Sequence, residues 1–466
     1  MEAHLSDARR CSTAGALVTQ MENQQEERLA VDLLVVGAGM AGMTAAAYAA
    51  ERGLVVLVVE KAPAIGGSAL ISGGSIWTAA DFETLRQTNP DGEEAQARTL
   101  VDGYDAVCDF IASLGTDISP KLAYDGVQSF PGWNRPVDMQ QYMGLARRSV
   151  EAAGGFVVTD STVTQLHLGP DGVSGGTVSG PDGVVEVDAP WTLLATGGFQ
   201  NDRELRARYI GPQAADIAVR SNFYSDGQGL RLGLSAGAAT SRYMDGFYGH
   251  TVPYPVNLPL AQQDFLPFAQ FYLSPRSILV DAEGKRFTDE SRGYYLNGQA
   301  VVRLPAGRAL VLFNDALRID DSERYGVDRF DFAQRRGANV ARADTWAELA
   351  EQVLPWGYRG VEQAVEAYQR AIAEGLPLDP PRNANRLPHT EGPFHAIEVQ
   401  PAITFTHGGL RIDARARVLD DQGVPIPGLL AAGADAGGTY HRAYAGGLSM
   451  ASVFGFTAAK TALGQQ

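Results

Sequence analysis

Cysteine is nearly absent from this 466-residue chain, which has only Cys11 and Cys108. Two thiols exclude a disulfide framework, a cysteine-based zinc site, an iron–sulfur cluster and a CxxCH haem attachment. Long apolar runs are missing too, so no segment reaches membrane-spanning length. Positive charge is scarce, with 38 Lys and Arg against 54 Asp and Glu and a net charge of −16. That balance argues against nucleic acid or an anionic membrane as partner, because both reward clustered Lys and Arg. Charged residues make up only 20% and hydrophobic residues 45%, proportions that exclude a disordered acidic tail and a coiled coil. A soluble, cytoplasmic protein is expected; the sequence gives no oligomeric state. What the chain has in excess is glycine, 53 residues, and their placement carries the reading.

The first 30 residues are polar, and their one apolar patch around Ala14–Val18 is too short for a signal-peptide core. Arg9-Arg10 resembles a twin-arginine signal, but no long apolar segment follows. Residues 1–30 are expected to be a disordered extension, with Met21 as an alternative start. From Val31, VDLLVVG, AGMTAAAYAAERG and VVLVVEK read as strand, helix and strand, a βαβ unit over 31–61. Residues 156–198 alternate like strands around Pro-Asp-Gly turns at 170–172 and 181–183, ending in the buried strand WTLLATGG.

Composition shifts near residue 243, where residues 242–273 hold eight aromatics interrupted by four prolines. A hairpin, SPRSILVDAEGKRFTDES, and helical segments follow, and strands return from Val399. The expected fold is α/β. Residues 31–243 and 399–466 form a discontinuous nucleotide domain, interrupted by an aromatic-rich α+β cap over 244–398.

Gly37-Ala38-Gly39-Met40-Ala41-Gly42 is a GxGxxG that follows a strand and opens a helix, with Glu60 ending the second strand. That context is the dinucleotide fingerprint. Gly37 allows the tight turn, Gly39 lets the backbone approach a pyrophosphate, and Gly42 allows close helix–strand packing. The helix N-terminus offers unpaired N–H groups, and Glu60 can accept from ribose hydroxyls. No second GxGxxG follows a strand, which argues against a built-in NAD(P)H site.

From Asp32 through EKAPAIGGSALISGG the chain resembles the FAD-binding domain of the fumarate reductase/succinate dehydrogenase flavoprotein superfamily. Further marks follow in order: Ala195-Thr196-Gly197-Gly198, Asp226-Gly227, VDAEGKRFTDES at 280–291, Thr406-His407-Gly408-Gly409, and Gly433-Ala434-Asp435 before Gly446-Gly447. The resemblance implies a Rossmann-like, GR2-type FAD-binding domain. It also implies FAD wrapped by Gly66, Gly67, Ser68, Ser72, Gly73 and Gly74, with Ala41, Lys61, Ala195, Thr196, Gly197, Asp226, Gly433, Ser449 and Met450 contributing. Val163 would meet adenine through its backbone, and Asp435 stands where the family usually has a ribitol-binding Glu. The helix starting near Gly447 would aim its positive end at the flavin. SALISGG lacks the His to which membrane-bound relatives attach flavin, so non-covalent FAD is expected.

Dicarboxylate-reducing members of the superfamily place Arg, His and Arg where this chain has Tyr294, Phe405 and Tyr444. A dicarboxylate leaving water needs cationic partners, whereas aromatics with phenolic handles suit a bulky ketone. The pair Tyr294/Tyr444 is instead similar to the 3-ketosteroid dehydrogenases. That resemblance implies Tyr444 with the Gly447 or Leu448 N–H polarising a carbonyl, Tyr294 removing the α-proton, and a β-hydride passing to flavin N5. A one-residue offset would exchange Tyr294 with Tyr295. Candidate wall residues are Phe247, Tyr248, Phe268, Phe271, Tyr272, Phe130 and Trp133. His407 reads equally as structural or flavin-adjacent, and His167 as structural.

The expected enzyme is thus an FAD-dependent oxidoreductase acting on CH–CH groups, with an apolar ketone as substrate and an external electron acceptor. YHRAYAGG is also similar to the tricarballylate dehydrogenase branch. A small polycarboxylate held by His250, Arg276, His441 and Arg442 is therefore the alternative, and a non-catalytic flavin-binding redox subunit is the third reading.

Overall fold

In the computed structural model, which describes residues 28–124, 130–256, 264–270 and 273–465, the apolar run Leu33–Val36 is fully buried. It is an inner strand of a six-stranded sheet. The order is Arg417–Leu419, Pro425–Ala431, Trp191–Leu194, Leu33–Val36, Val56–Val59 and Phe156–Val158. Every neighbouring pair is parallel except the first. Parallel strands covered on both faces need uninterrupted apolar runs, as LLVV and VLVV supply. Val36 pairs with both Val59 and Leu194, and Leu194 with Ala431. The residues after these strands therefore emerge along one carboxyl edge, where open α/β sheets bind ligands.

The helix Met40–Ala50 is buried at every residue, and its small side chains let it press against the strand turn. A Cβ on Gly42 would lie 1.9 Å from the Gly37 carbonyl oxygen. The terminal helix Gly447–Ala462 packs beside it just as closely: a Cβ on Gly455 would lie 2.2 Å from the Ala41 oxygen.

A second sheet, Thr162–Gly169, Gly172–Gly180 and Gly183–Asp188, turns back at both Pro-Asp-Gly sites. Leu29–Ala30 joins it, pairing in parallel with Val187 and Asp188. The expectation of disorder through residue 30 is corrected there, since two ladder pairs and the Arg28–Asp188 ion pair at 2.9 Å hold this end. The remainder of the extension, with Met21, lies outside the described residues.

The third sheet is built on Phe394–Thr406, a 13-residue strand that pairs with Ala218–Val219, Phe247–Pro253, Ala309–Asn314 and Val340–Ala343. The boundary expected at 398/399 falls inside this strand. Its first half carries His395 and Glu398, polar residues that hide a strand from a hydropathy reading. Both are buried and bonded, His395 to Asp315 at 2.9 Å and Glu398 to Arg308 at 3.1 Å. Phe247–Pro253, at the start of the aromatic segment, runs antiparallel to this strand, setting Tyr248 opposite Phe405 and His250 opposite Ala402. No helix among the described residues is long and apolar enough to cross a membrane, and none of their His, Cys, Asp and Glu groups could hold a metal ion.

Candidate active site

A cleft follows the carboxyl edge of the parallel sheet, between the N-termini of the Met40–Ala50 and Gly447–Ala462 helices. At one end it is walled by Gly37, Gly39, Ala41, Glu60, Lys61 and Val163, then by Gly67, Ser68, Ser72 and Gly73. Ala195, Thr196, Gly197, Gly433 and Met450 continue the wall to Gly447 and Leu448. Gly39 and Gly73 open onto empty space, with nothing within 4 Å of where a Cβ would stand. The helix after Gly39 has no side-chain cap, so its first N–H groups are available to an anion. Glu60 is nearly buried and accepts from Ala38 N and Ala62 N, both at 2.7 Å, which fixes its carboxylate at the cleft wall. Small-residue walls, a bare helix N-terminus and a fixed carboxylate together fit the pyrophosphate and ribose of a dinucleotide.

Six of the expected cofactor residues do not line this cleft. Gly42 serves helix packing. Gly66 adopts a left-handed turn (φ 109°) and donates to Ala38 O at 2.8 Å, while Gly74 lies under Val137, whose oxygen a Cβ would approach to 2.6 Å. Asp226 pairs with Lys61, holding that cation at the cradle. Ser449 donates to Trp77 O at 2.6 Å. Asp435, one methylene shorter than Glu, turns instead to the Thr196 N–H and hydroxyl. Burial raises its carboxyl to about 7, and Thr196 opposes that shift. Val163 is at the wall, and its carbonyl accepts from Gln228 at 2.7 Å.

The other end of the cleft is aromatic. Tyr444 and Tyr248 stack with centroids 3.9 Å apart, Trp77 meets Tyr444 edge-on at 5.1 Å, and Phe405 lies 5.3 Å from Tyr248. Tyr444, three residues before the terminal helix, accepts the Gly447 N–H on its hydroxyl at 3.0 Å. The Gly447 or Leu448 N–H was expected to polarise a substrate carbonyl; the Gly447 N–H is directed to the Tyr444 hydroxyl, and Leu448 lines the cleft. Tyr294, first residue of the Tyr294–Val301 helix, does not line the cleft. Its hydroxyl lies 3.1 Å from that of Tyr248, which does. Tyr295 is buried, and burial raises its phenol to about 12.

His250 lines the cleft and stacks on Tyr294 at 5.0 Å. Burial and the charges of Arg220 and Arg329 drive its pKa well below the ordinary imidazole value, so it is neutral. Arg220 is the residue the sequence reading missed. It is 9% exposed and lines the cleft beside Tyr248, Tyr294 and Tyr444. Burial lowers its pKa to about 10, against the pull of those tyrosines, leaving it charged at neutral pH. No motif marks it; its one signal is an arginine within a short buried strand segment, AVRS.

The other candidates lie elsewhere. Arg276 pairs with Asp320; His441 bonds Asp245 at 2.8 Å and stacks on Tyr243; Arg442 faces Asp245 at 3.9 Å. Phe247 and Phe268 are core residues, and neither Phe130 nor Trp133 reaches the cleft. His407 donates its Nδ1–H to His441 O at 2.8 Å within the late turn. His167 pairs with Glu186 at 2.6 Å on the hairpin sheet. Phe271 and Tyr272 lie outside the described residues.

Comparison with known proteins places these features. The chain is 27% identical over 463 residues to NADH:fumarate oxidoreductase of Klebsiella pneumoniae, covering 93% of this chain and 48% of that one. It therefore spans about half the length of that relative. It is 26% identical to urocanate reductase of Eggerthella lenta, covering 91% of this chain and 73% of the relative. With 4-oxocyclohex-2-ene-1-carboxylate 5-dehydrogenase of Sinomonas cyclohexanicum it shares 25% identity, covering 94% of both. These relatives are oxidoreductases, reductases and dehydrogenases. The fold matches 3-ketosteroid-delta4-(5alpha)-dehydrogenase of Rhodococcus jostii RHA1 at a TM-score of 0.75, with 20% identity, covering 95% of this chain and 98% of the other. It also matches an open flavocytochrome c3 fumarate reductase at 0.65, with 23% identity, covering 97% and 81%. The family described as "FAD binding domain" matches residues 32–449. The chain belongs to that family, within the fumarate reductase/succinate dehydrogenase flavoprotein superfamily, and FAD is its cofactor.

Proposed function

We propose that this protein is an FAD-dependent dehydrogenase that introduces a C=C bond next to a ketone. It holds FAD non-covalently and passes electrons to an external acceptor in the cytoplasm. The observation that carries this reading is the tyrosine cluster Tyr444–Tyr248–Tyr294 against the start of the terminal helix. When bound, FAD supplies the hydride acceptor at N5. The Tyr444 hydroxyl, steadied by the Gly447 N–H, donates to the ketone oxygen, and the Leu448 N–H is the second donor. Donors aimed at a developing enolate oxygen acidify the α-carbon. The α-proton goes to the Tyr248–Tyr294 hydroxyl pair, with Tyr248 at the cleft wall and Tyr294 behind it. The pair takes that proton as a phenolate, having first released one phenolic proton to solvent, and Arg220's positive charge favours the phenolate before the transfer. In this division of labour residues 31–243 and 399–466, which supply most of the cleft wall, would hold FAD, and the 244–398 cap supplies Tyr248, His250 and Phe265 to exclude water.

The test is anaerobic mixing of FAD-loaded protein with a panel of cyclic ketones and 3-ketosteroids, following flavin bleaching near ~450 nm. Bleaching by none of them overturns the reading. A second reading, reduction of a small unsaturated acid, takes support from relatives named for fumarate and urocanate and from Arg220 in the cleft. Against it, Arg276, His441 and Arg442 are engaged away from the cleft, and His250 is neutral. A dicarboxylate would then lack a second cation among the described residues of the substrate end. Bound FAD with no turnover of ketone or acid would favour the third reading, a redox subunit.

A further inference from the structure

Beyond Glu60 the cleft wall continues through Ser161, Thr162 and Val163, and the Ser161 N–H donates to Glu60 O at 2.9 Å, which keeps this segment beside the carboxylate. The pyrophosphate cradle at Gly39 and the ribose carboxylate at Glu60 set the order of the dinucleotide along the wall. Its adenine therefore falls at this end, away from the tyrosines. Gln228, the half-buried first residue of the Gln228–Ser235 helix, completes the wall here. That helix start is pinned: the Gly229 N–H donates to Thr196 Oγ1 at 3.0 Å, and even a Cβ on Gly229 would lie 2.4 Å from Asp435 Oδ1. Gln228 Nε2 donates to Val163 O at 2.7 Å. A carbonyl only accepts, so the nitrogen must be the end of the amide that faces Val163. Oε1 is then the amide's remaining acceptor, and no described residue donates to it.

We infer that Gln228 reads the adenine of FAD, its Oε1 accepting from the exocyclic amine. This goes beyond the proposed reaction and rests on the cofactor alone. The exocyclic amine is the one hydrogen-bond donor adenine carries, whereas a 6-oxo purine presents a carbonyl oxygen at the same place. An amide oxygen set against that carbonyl brings two acceptors together, so the contact that holds adenine rejects the 6-oxo base. A free glutamine would escape the clash by turning its amide over. Gln228 does not have that freedom, because turning over would set Oε1 against Val163 O. Val163 thus acts on the base through Gln228, as the positioning group that makes the reader selective.

The test titrates two dinucleotides into full-length protein stripped of its flavin, with binding read by flavin fluorescence. One is FAD; the other is flavin hypoxanthine dinucleotide, whose base carries an oxygen in place of the amine. The expected result is FAD binding about tenfold tighter or more. Gln228→Met keeps the length of the side chain and drops both polar atoms. It should bring the two affinities within about twofold of each other by weakening FAD alone, with the melting temperature of the flavin-free protein unchanged. Gln228→Leu repeats the measurement where the Met variant does not fold. Equal affinities in the unmodified protein overturn the inference, whether or not either variant folds. A preference for FAD that survives in the variants also overturns it, assigning the base to the Val163 backbone. Loss of both affinities by the same factor overturns it as well, leaving Gln228 a tie between helix and sheet. Binding is read without turnover, so none of these outcomes depends on the ketone reading.

Discussion

Replacing Tyr444 with Phe removes one oxygen and leaves the ring. Its stacking on Tyr248 at 3.9 Å and its edge contact with Trp77 at 5.1 Å survive, so the buried apolar area hardly changes. Two interactions go. One is the Gly447 N–H to Tyr444 hydroxyl bond at 3.0 Å, at a helix start that has no side-chain cap. Leaving that N–H without its partner costs about 1 kcal/mol of stability. The other is the donor to the ketone oxygen, whose loss removes about 2.7–4 kcal/mol of transition-state stabilisation, roughly 100- to 1000-fold in rate. The two costs are read separately. Flavin absorbance and a melting curve report the first, and anaerobic stopped-flow bleaching by a saturating ketone reports the second. Tyr444→Phe should retain FAD, melt slightly earlier and bleach 100- to 1000-fold more slowly. A bleaching rate within about threefold of the unmodified protein would refute the donor role, since that is under 1 kcal/mol.

Tyr248→Phe breaks the 3.1 Å hydroxyl pair with Tyr294 and should slow α-proton exchange, followed by deuterium uptake into the ketone, at least about tenfold. Tyr294→Phe should slow it less, because Tyr294 stands behind Tyr248. Gly39→Val fills open space, so it should keep its melting temperature without FAD yet bind no flavin by absorbance. Gly42→Ala drives a Cβ to 1.9 Å from the Gly37 oxygen and should instead lower the melting temperature with or without FAD. Burial holds His407 down at about 4, against an ordinary value of 6.5. A folded-state pKa below the unfolded one stabilises above pH 6.5 and loses that stability as pH falls toward 4. Between about pH 7 and about pH 5, the urea midpoint of His407→Gln should therefore fall less than that of the unmodified protein.

The dinucleotide half was legible because its constraints are local. GxGxxG needs its glycines at fixed spacing, parallel strands need unbroken apolar runs, and Pro-Asp-Gly makes hairpins; all three appear where the sequence puts them. The long strand Phe394–Thr406 was half-hidden because His395 and Glu398 are buried against partners distant in sequence, Asp315 and Arg308 among them. Long-range pairing hides parts of the site in the same way. Tyr444 follows from its place before Gly446-Gly447, but the strand pairing that sets Tyr248 opposite Phe405 is not written in local sequence. Asp435 was expected at the ribitol, yet a side chain one methylene short of Glu reaches Thr196. Arg220 carried no motif, and only the pairing of Ala218–Val219 with Ala402–Ile403 brings it to the tyrosines.

The central claim is that this cleft removes two hydrogens from adjacent carbons beside a ketone. Its most direct test is mass spectrometry of a cyclic ketone after incubation with FAD-loaded protein and an artificial electron acceptor under anaerobic conditions. The account predicts a product about two mass units lighter, absorbing as a conjugated enone, and its loss in Tyr444→Phe. Unchanged ketone across cyclic ketones, keto acids and 3-ketosteroids, in protein that carries its full complement of FAD, would contradict it.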